Sequence, residues 1–391
     1  MIADAALSPR SRWFRRIAWC AVALALAVIV FGAFVRLSNA GLSCPDWPTC
    51  YGRAAWPTHA GDVGELSDAF PARAVEPHKA WREQFHRHLA ALLGVLVLSL
   101  AVLATRRRRA GTATVLGSAA LVAAAIPLYM AQHYVAASIL ALLAETALLG
   151  SAWRWGNGGR HGEDFAGAAT LALALIVVQA LLGMWTVTWL LKPAVVMAHL
   201  LGGMATMSLL AWIAWRATPG SAWMRADGAR LRRLLAVGLA LLAVQIALGG
   251  WTSANYAALA CGTNFPTCLG QWWPQVDFGE GFVLWRGIGV DYEGGVLDAP
   301  ARTAIHLSHR LFAVLVFGHL LAVALRLLRS GLARWGAALA LLLGLQVALG
   351  IGNVVLGLPL WVASAHNAGA ALLLLVLISL LARLRPAQPV A

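Results

Sequence analysis

Apolar runs of roughly 18 to 25 residues recur along this whole chain, and no other feature limits its fold so severely. A run of that length crosses a ~30 Å hydrocarbon core as α-helix. Inside lipid a backbone must satisfy its own polar groups, which leaves only helices and closed barrels. The runs fall near 17–35, 85–104, 112–130, 134–152, 167–190, 194–215, 234–252, 303–327, 333–356 and 359–382, ten spans in all. Of 391 residues, 60% are hydrophobic and 12% charged, too little polar surface to cover a soluble fold. The expected class is an all-α integral membrane protein.

A formal charge of +14 would suit nucleic acid if the arginines formed one face. They sit instead in alternate connections: Arg10, Arg12, Arg15 and Arg16 before the first span, Arg106 to Arg109 after the second, Arg225, Arg230, Arg232 and Arg233 before the seventh. Arg326, Arg329 and Arg334 separate the eighth and ninth, and Arg383 and Arg385 follow the last. This positive-inside pattern puts both termini in the cytoplasm and excludes a nucleic-acid partner as the reason for the charge. The first run is too long for a cleavable signal peptide and reads as an anchor.

The long connections 36–84 and 253–302 then lie outside. Four of the five cysteines are there: Cys44 and Cys50 bracket CPDWPTC, and Cys261 and Cys268 bracket CGTNFPTC. Each pair reads either as a disulfide closing a short loop or as a redox pair passing electrons, with the first preferred. Cys20, inside the first span, reads as a small packing residue.

The chain is a duplication. In QALLGMWTVTWLLKPAVVMAH and QVALGIGNVVLGLPLWVASAH, Gln179 and Gln346 each precede a histidine, His199 or His366, by twenty positions, and Gly183 and Gly350 each precede it by sixteen. EQFHRHLA and AIHLSHRLFA likewise align His86 with His309 and Arg87 with Arg310. Asn39 with Cys44 and Asn255 with Cys261 extend the match into the loops. The expected halves are 17–215 and 234–382, with a hairpin inserted at 111–153 that has no counterpart in the second half.

Each half therefore offers two histidines at one depth, within roughly two turns of the outer ends of their helices. An ionisable side chain in a bilayer costs on the order of a few kcal/mol and is a functional candidate by default. Four-helix bundles house cofactors between facing helices, and a bis-His haem needs two facing imidazoles, so two sites follow. A single four-histidine metal centre is a lesser alternative, since compact zinc sites use close paired spacing. Four satisfied core histidines are another, lowered by the repetition.

His88 lies about 200° round the helix from His86 and is expected at a helix interface. His319 lies deeper, without a partner at its depth; His133 is in the insert, and His59, His78 and His161 are in loops. One turn before His86 stands Glu83, where the second half has His306. Glu83 reads either as a proton acceptor or donor in an oxidation or as an ion-pair partner of Arg82 or Arg87. For Arg87 and Arg310, pairing with haem propionates competes with snorkelling.

At GLSCPDWPTCYG, ExxHR, QALLGMWTVT and the two xAH helices the sequence resembles the heme A synthase family, over about residues 17 to 382 apart from the insert. The resemblance implies two pseudo-symmetric four-helix transmembrane bundles, and membrane-bound oxidation of the heme O methyl group, through an alcohol, to the formyl group of heme A. It implies a haem b cofactor on His309 and His366, moving electrons. The substrate haem would lie near His86 and His199, with Glu83 as the catalytic acidic residue and Arg87 beside it. It further implies a bacterial inner membrane, heme O and lipid as partners, and assembly with itself or with haem-handling and terminal-oxidase assembly proteins. Ten spans depart from the family's eight. Two rivals are a diheme b-type electron-transfer protein and a thiol oxidoreductase run by the loop cysteines.

Overall fold

The computed structural model describes residues 9–63, 75–157 and 164–386. Among them are ten helices long and apolar enough to cross a membrane: α1 Pro9–Leu37, α2 Pro77–Thr105, α3 Gly111–Met130, α4 Tyr134–Asn157 and α5 Ala166–Thr188, then α6 Pro193–Arg216, α7 Gly228–Ala254, α8 Ala299–Arg329, α9 Ala333–Val355 and α10 Leu360–Arg383. The chain is an all-α, multi-pass membrane protein. All ten expected spans are present, and several run past the apolar stretch that marks them. α1 and α2 gain most at their starts, with smaller gains at α7 and α8, where the sequence turns polar while the helix continues.

Local chemistry sets those starts. Asp298 caps α8, its carboxylate accepting from the Ala301 amide at 2.9 Å, with Pro300 in the first turn, where no amide is needed. Proline also opens α2 (Pro77) and α6 (Pro193). Large apolar side chains such as Val95, Leu142, Val314 and Leu341 face outward, as lipid solvation requires.

The chain divides into two compact units. One comprises Met1–Val28, Arg87–Leu181 and Ala205–Ala222; in it α3 packs on α4, the inserted hairpin. Cys20, expected to be packed, is an exposed free thiol on α1; a thiol is apolar enough for an outward face of a spanning helix. The other unit comprises Ile29–His86, Leu182–Met204 and Trp223–Ala391. Within it α7 packs on α8, α8 on α9, α9 on α10, and α10 back on α7. The four close into a ring in which α8 and α10 stand diagonally.

One end of this ring is tied by arginines. Strands β1 (Trp223–Arg225) and β2 (Leu384–Pro386) pair in parallel, Trp223 opposite Leu384. Arg232 donates to the carbonyls of Leu381 and Leu384 at 2.7 and 2.9 Å, satisfying groups at the end of α10. Arg383 lies 3.6 Å from the Trp223 ring centroid. The connections α1–α2 and α7–α8 each carry a disulfide, Cys44–Cys50 and Cys261–Cys268.

Candidate functional site

His86 stands on α2, His199 on α6, His309 on α8 and His366 on α10, and each ring rests on a glycine of the helix before it. A Cβ at Gly32 of α1 would lie 2.7 Å from His86 Cε1, one at Gly183 of α5 3.3 Å from His199 Cε1, one at Gly249 of α7 3.1 Å from His309 Cε1, and one at Gly350 of α9 3.1 Å from His366 Cε1. Any side chain there would press into the imidazole. In each hairpin the first helix supplies a bare floor and the second the histidine, four times over. All four rings are half-buried, neither sealed in a core nor on the outer surface.

In the second half a glutamine one turn below the glycine adds a polar contact. Gln245 Nε2 lies 3.1 Å from His309 Nδ1 and donates to the His309 carbonyl, also at 3.1 Å. His366 Nδ1 donates to the Gln346 carbonyl at 3.2 Å, and its Nε2, the basic nitrogen in that tautomer, lies 3.4 Å from Gln346 Nε2. Imidazoles on two diagonal helices of a closed ring have the donor chemistry that would hold one haem iron. A four-histidine centre does not fit: among the described residues no three His, Cys, Asp or Glu side chains converge as metal ligands.

Beside the histidines, the position one turn earlier holds the disulfide loop in both halves, with different chemistry. Glu83, buried, accepts from the Cys44 amide at 2.9 Å and from Ser43 Oγ at 3.1 Å. Its neighbour Gln84 donates to the carbonyls of Ala54 and Pro48, at 2.9 and 3.3 Å. His306, also buried, donates from Nδ1 to the Ala257 carbonyl at 2.8 Å, and its Nε2 accepts from Arg310 Nε at 2.8 Å. Arg310 in turn donates to the carbonyls of Thr267 and Asn264, at 3.0 and 3.1 Å. His306 is therefore neutral and serves to aim Arg310 at its loop. Arg87 follows His86 on α2, in the other compact unit.

The loops are ordered by their own polar groups. Asp46 accepts from Tyr51 N at 2.5 Å, Gly52 N at 2.8 Å and the Thr49 hydroxyl, which explains the aspartate within CPDWPTCYG. Arg36 at the end of α1 donates to the Ser253 carbonyl at 3.0 Å and stacks 4.4 Å from the Tyr256 ring centroid, joining the two repeats' loop bases.

The other histidines divide. His319 Nε2 donates to the Leu234 carbonyl at 3.0 Å and is a satisfied core residue. His88, expected at a helix interface, is exposed, as are His59, His78 and His133; His78 lies in the first turn of α2 rather than in a loop, and His161 lies outside the described residues. The sequence reading missed Gly32 and Gly249 as ring floors, Gln245 and Gln346 as ring partners, and Lys192. A signal for the glutamines was present: Gln-x-x-x-Gly occurs at 179, 245 and 346, ahead of three of the four histidines.

Two segments of the chain, residues 15–132 and 128–378, match the COX15-CtaA family model, described as cytochrome oxidase assembly protein. The chain is 38% identical over 370 residues to a protein named heme A synthase from Shewanella oneidensis, covering 94% of each chain. A protein of that name from Sphingopyxis alaskensis is 26% identical over 392 residues, covering 97% of this chain and 94% of its own.

Proposed function

The chain belongs to the COX15-CtaA family, that of the heme A synthases, and from that premise we propose that it oxidises the methyl group of heme O to the formyl group of heme A, with its two halves in different roles. His309 and His366 hold a haem b, which supplies one-electron transfer when bound. His86 and His199 receive the substrate haem, with Arg87 beside them and Glu83 as the acid–base group. The division 17–215 and 234–382 is then one of substrate half and cofactor half.

The observation that carries this reading is the fourfold His-on-Gly packing, combined with a carboxylate in one half only. The packing gives all four imidazoles the fixed orientation an axial ligand needs, so both halves suit a haem. Glu83 gives the first half alone a group that can accept a proton as the methyl carbon is oxidised. In the second half the same place holds His306, whose two ring nitrogens are already engaged by Ala257 and Arg310. The haem b half binds and orients; the substrate half can also move a proton.

The disulfides close loops over the histidine ends of the helices, so the cysteines are structural. Both termini are cytoplasmic, the Cys-bearing loops face outward, and the membrane is the bacterial inner membrane, following the arginine distribution and the bacterial relatives. Heme O and membrane lipid are the partners; association with itself or with haem-handling and terminal-oxidase assembly proteins follows the family resemblance. The testing experiment compares ligand variants by haem extraction and reduced-minus-oxidised spectra. His309→Ala should lose bound haem b, and His86→Ala should keep it while making no heme A. Loss of haem b from His86→Ala alone would reverse the halves.

A further inference from the structure

We propose that Lys192 binds a carboxylate of the porphyrin substrate in the first half, from beneath a ring of Trp285 that moves aside to admit it. This rests on the assignment of His199 to the substrate haem. Lys192 occupies the turn between α5 and α6 and is 1% exposed. Among the described residues its Nζ has no hydrogen-bond acceptor. It is instead boxed by aromatic faces, 3.4 Å from the Trp285 ring centroid and 5.5 Å from that of Trp189. Trp189 stacks on Trp185 at 5.2 Å and meets Trp285 edge-on at 6.1 Å.

An ammonium held only by π faces has lost its water without gaining an anion. Burial accordingly lowers the Lys192 pKa. The cover is thin: Trp285, on the second long loop, is 62% exposed, so one ring separates the charge from the outside. The site also lies at the positive end of α6, where the Val195 and Val196 amides donate to the Lys192 carbonyl.

Register supplies the ligand class. Lys192 stands immediately before α6, seven residues ahead of His199; at ~1.5 Å per residue the two lie ~10 Å apart along the axis, the same order as the reach from a porphyrin's iron to its propionate carboxylates. Placing His199 on His366 puts Lys192 on Pro359, Trp189 on Leu356 and Trp185 on Gly352. The turn itself repeats, Leu191 and Leu358 having φ of 59° and 62°. The backbone is duplicated and the charge is not, so Lys192 joins Glu83 as a group peculiar to the first half.

A lipid phosphate offers the same anionic chemistry, and the test separates the two. Heme O and its dimethyl ester are titrated into the purified full-length protein carrying its second-half haem, and binding is read from the Soret difference spectrum. The wild type should prefer the free acid by about tenfold or more, the worth of a charge-assisted contact. Lys192→Met should lose that preference while binding the ester as the wild type does, and Lys192→Arg should keep it. A preference that survives in Lys192→Met, or none in the wild type, overturns the proposal. So does competition by phosphatidylglycerol that weakens acid and ester equally and disappears in Lys192→Met, which would put a lipid on the lysine. His199→Ala should bind neither compound; full binding by that variant would overturn the assignment of the first half instead.

Discussion

Glu83 has an observed job and a proposed one, and single substitutions can part them. Its carboxylate anchors the first disulfide loop through Ser43 and the Cys44 amide, so Glu83→Ala removes anchor and acid together. Glu83→Gln keeps an oxygen for the Cys44 amide and removes only the titrating group. The variant should keep its haem b and its fold and lose heme A formation by about 10²-fold or more, the usual worth of a positioned acid or base. An active Glu83→Gln would reduce the residue to an anchor. The ring floors give a second expectation. Gly350→Val forces a side chain into His366 and should cost about 1–3 kcal/mol of haem b binding, seen as lower occupancy in purified protein. Unchanged occupancy would mean that the helices part freely. The histidines were legible because an ionisable group in an apolar run stands out, and Glu83 because it stands one turn before His86 where the second copy has His306. Gly32 and Gly249 were not, because a glycine in such a run looks like any other until the facing ring is known.

At the scale of elements, the two disulfide loops are held by more than their disulfides. Asp46 organises the first, Gln84 and Glu83 clasp it to α2, and Arg310 clasps the second to α8. Replacing Cys44 and Cys50 by Ser should therefore cost about 2 kcal/mol, the loop-closure worth of so short a ring, and spare heme A formation. Loss of activity with the fold intact would favour the thiol oxidoreductase. The tied end of the second ring has a pH signature. Hydrogen bonds from Arg225 hold the Asp227 carboxyl below its ordinary value of 3.8. The unfolded chain then takes up that proton first, so the pair's contribution is complete above about pH 4 and fades as pH falls through the lower folded value. Asp227→Asn should flatten that acid-side decline in a thermal melt, and an unchanged decline would place its cause elsewhere. Hydropathy located all ten helices but not their polar first turns, since in α2 and α8 those turns are set by caps, prolines and loop contacts that a window average cannot register.

Over the whole molecule the repeat carries the packing, and the proposed function rests on its breaks. Gly, His and turn conformation repeat; Glu83 against His306 and Lys192 against Pro359 do not. The hairpin α3–α4, a further break in the repeat, carries none of the site residues, so deleting 111–153 should leave haem b binding and heme A formation in place. Its role was illegible because nothing in the second half aligns with it. The duplication itself was the most legible feature of the chain, because matched spacings survive where residue types drift. The central claim is turnover of one haem by a protein that keeps another, and haem extraction tests it directly. The protein is produced in cells that make heme O and lack any other enzyme able to convert it, and the extracted haems are separated. Heme A should appear, with haem b retained by the purified protein. Haem b bound beside unconverted heme O, with electron partners present, would contradict the account and leave a diheme electron carrier.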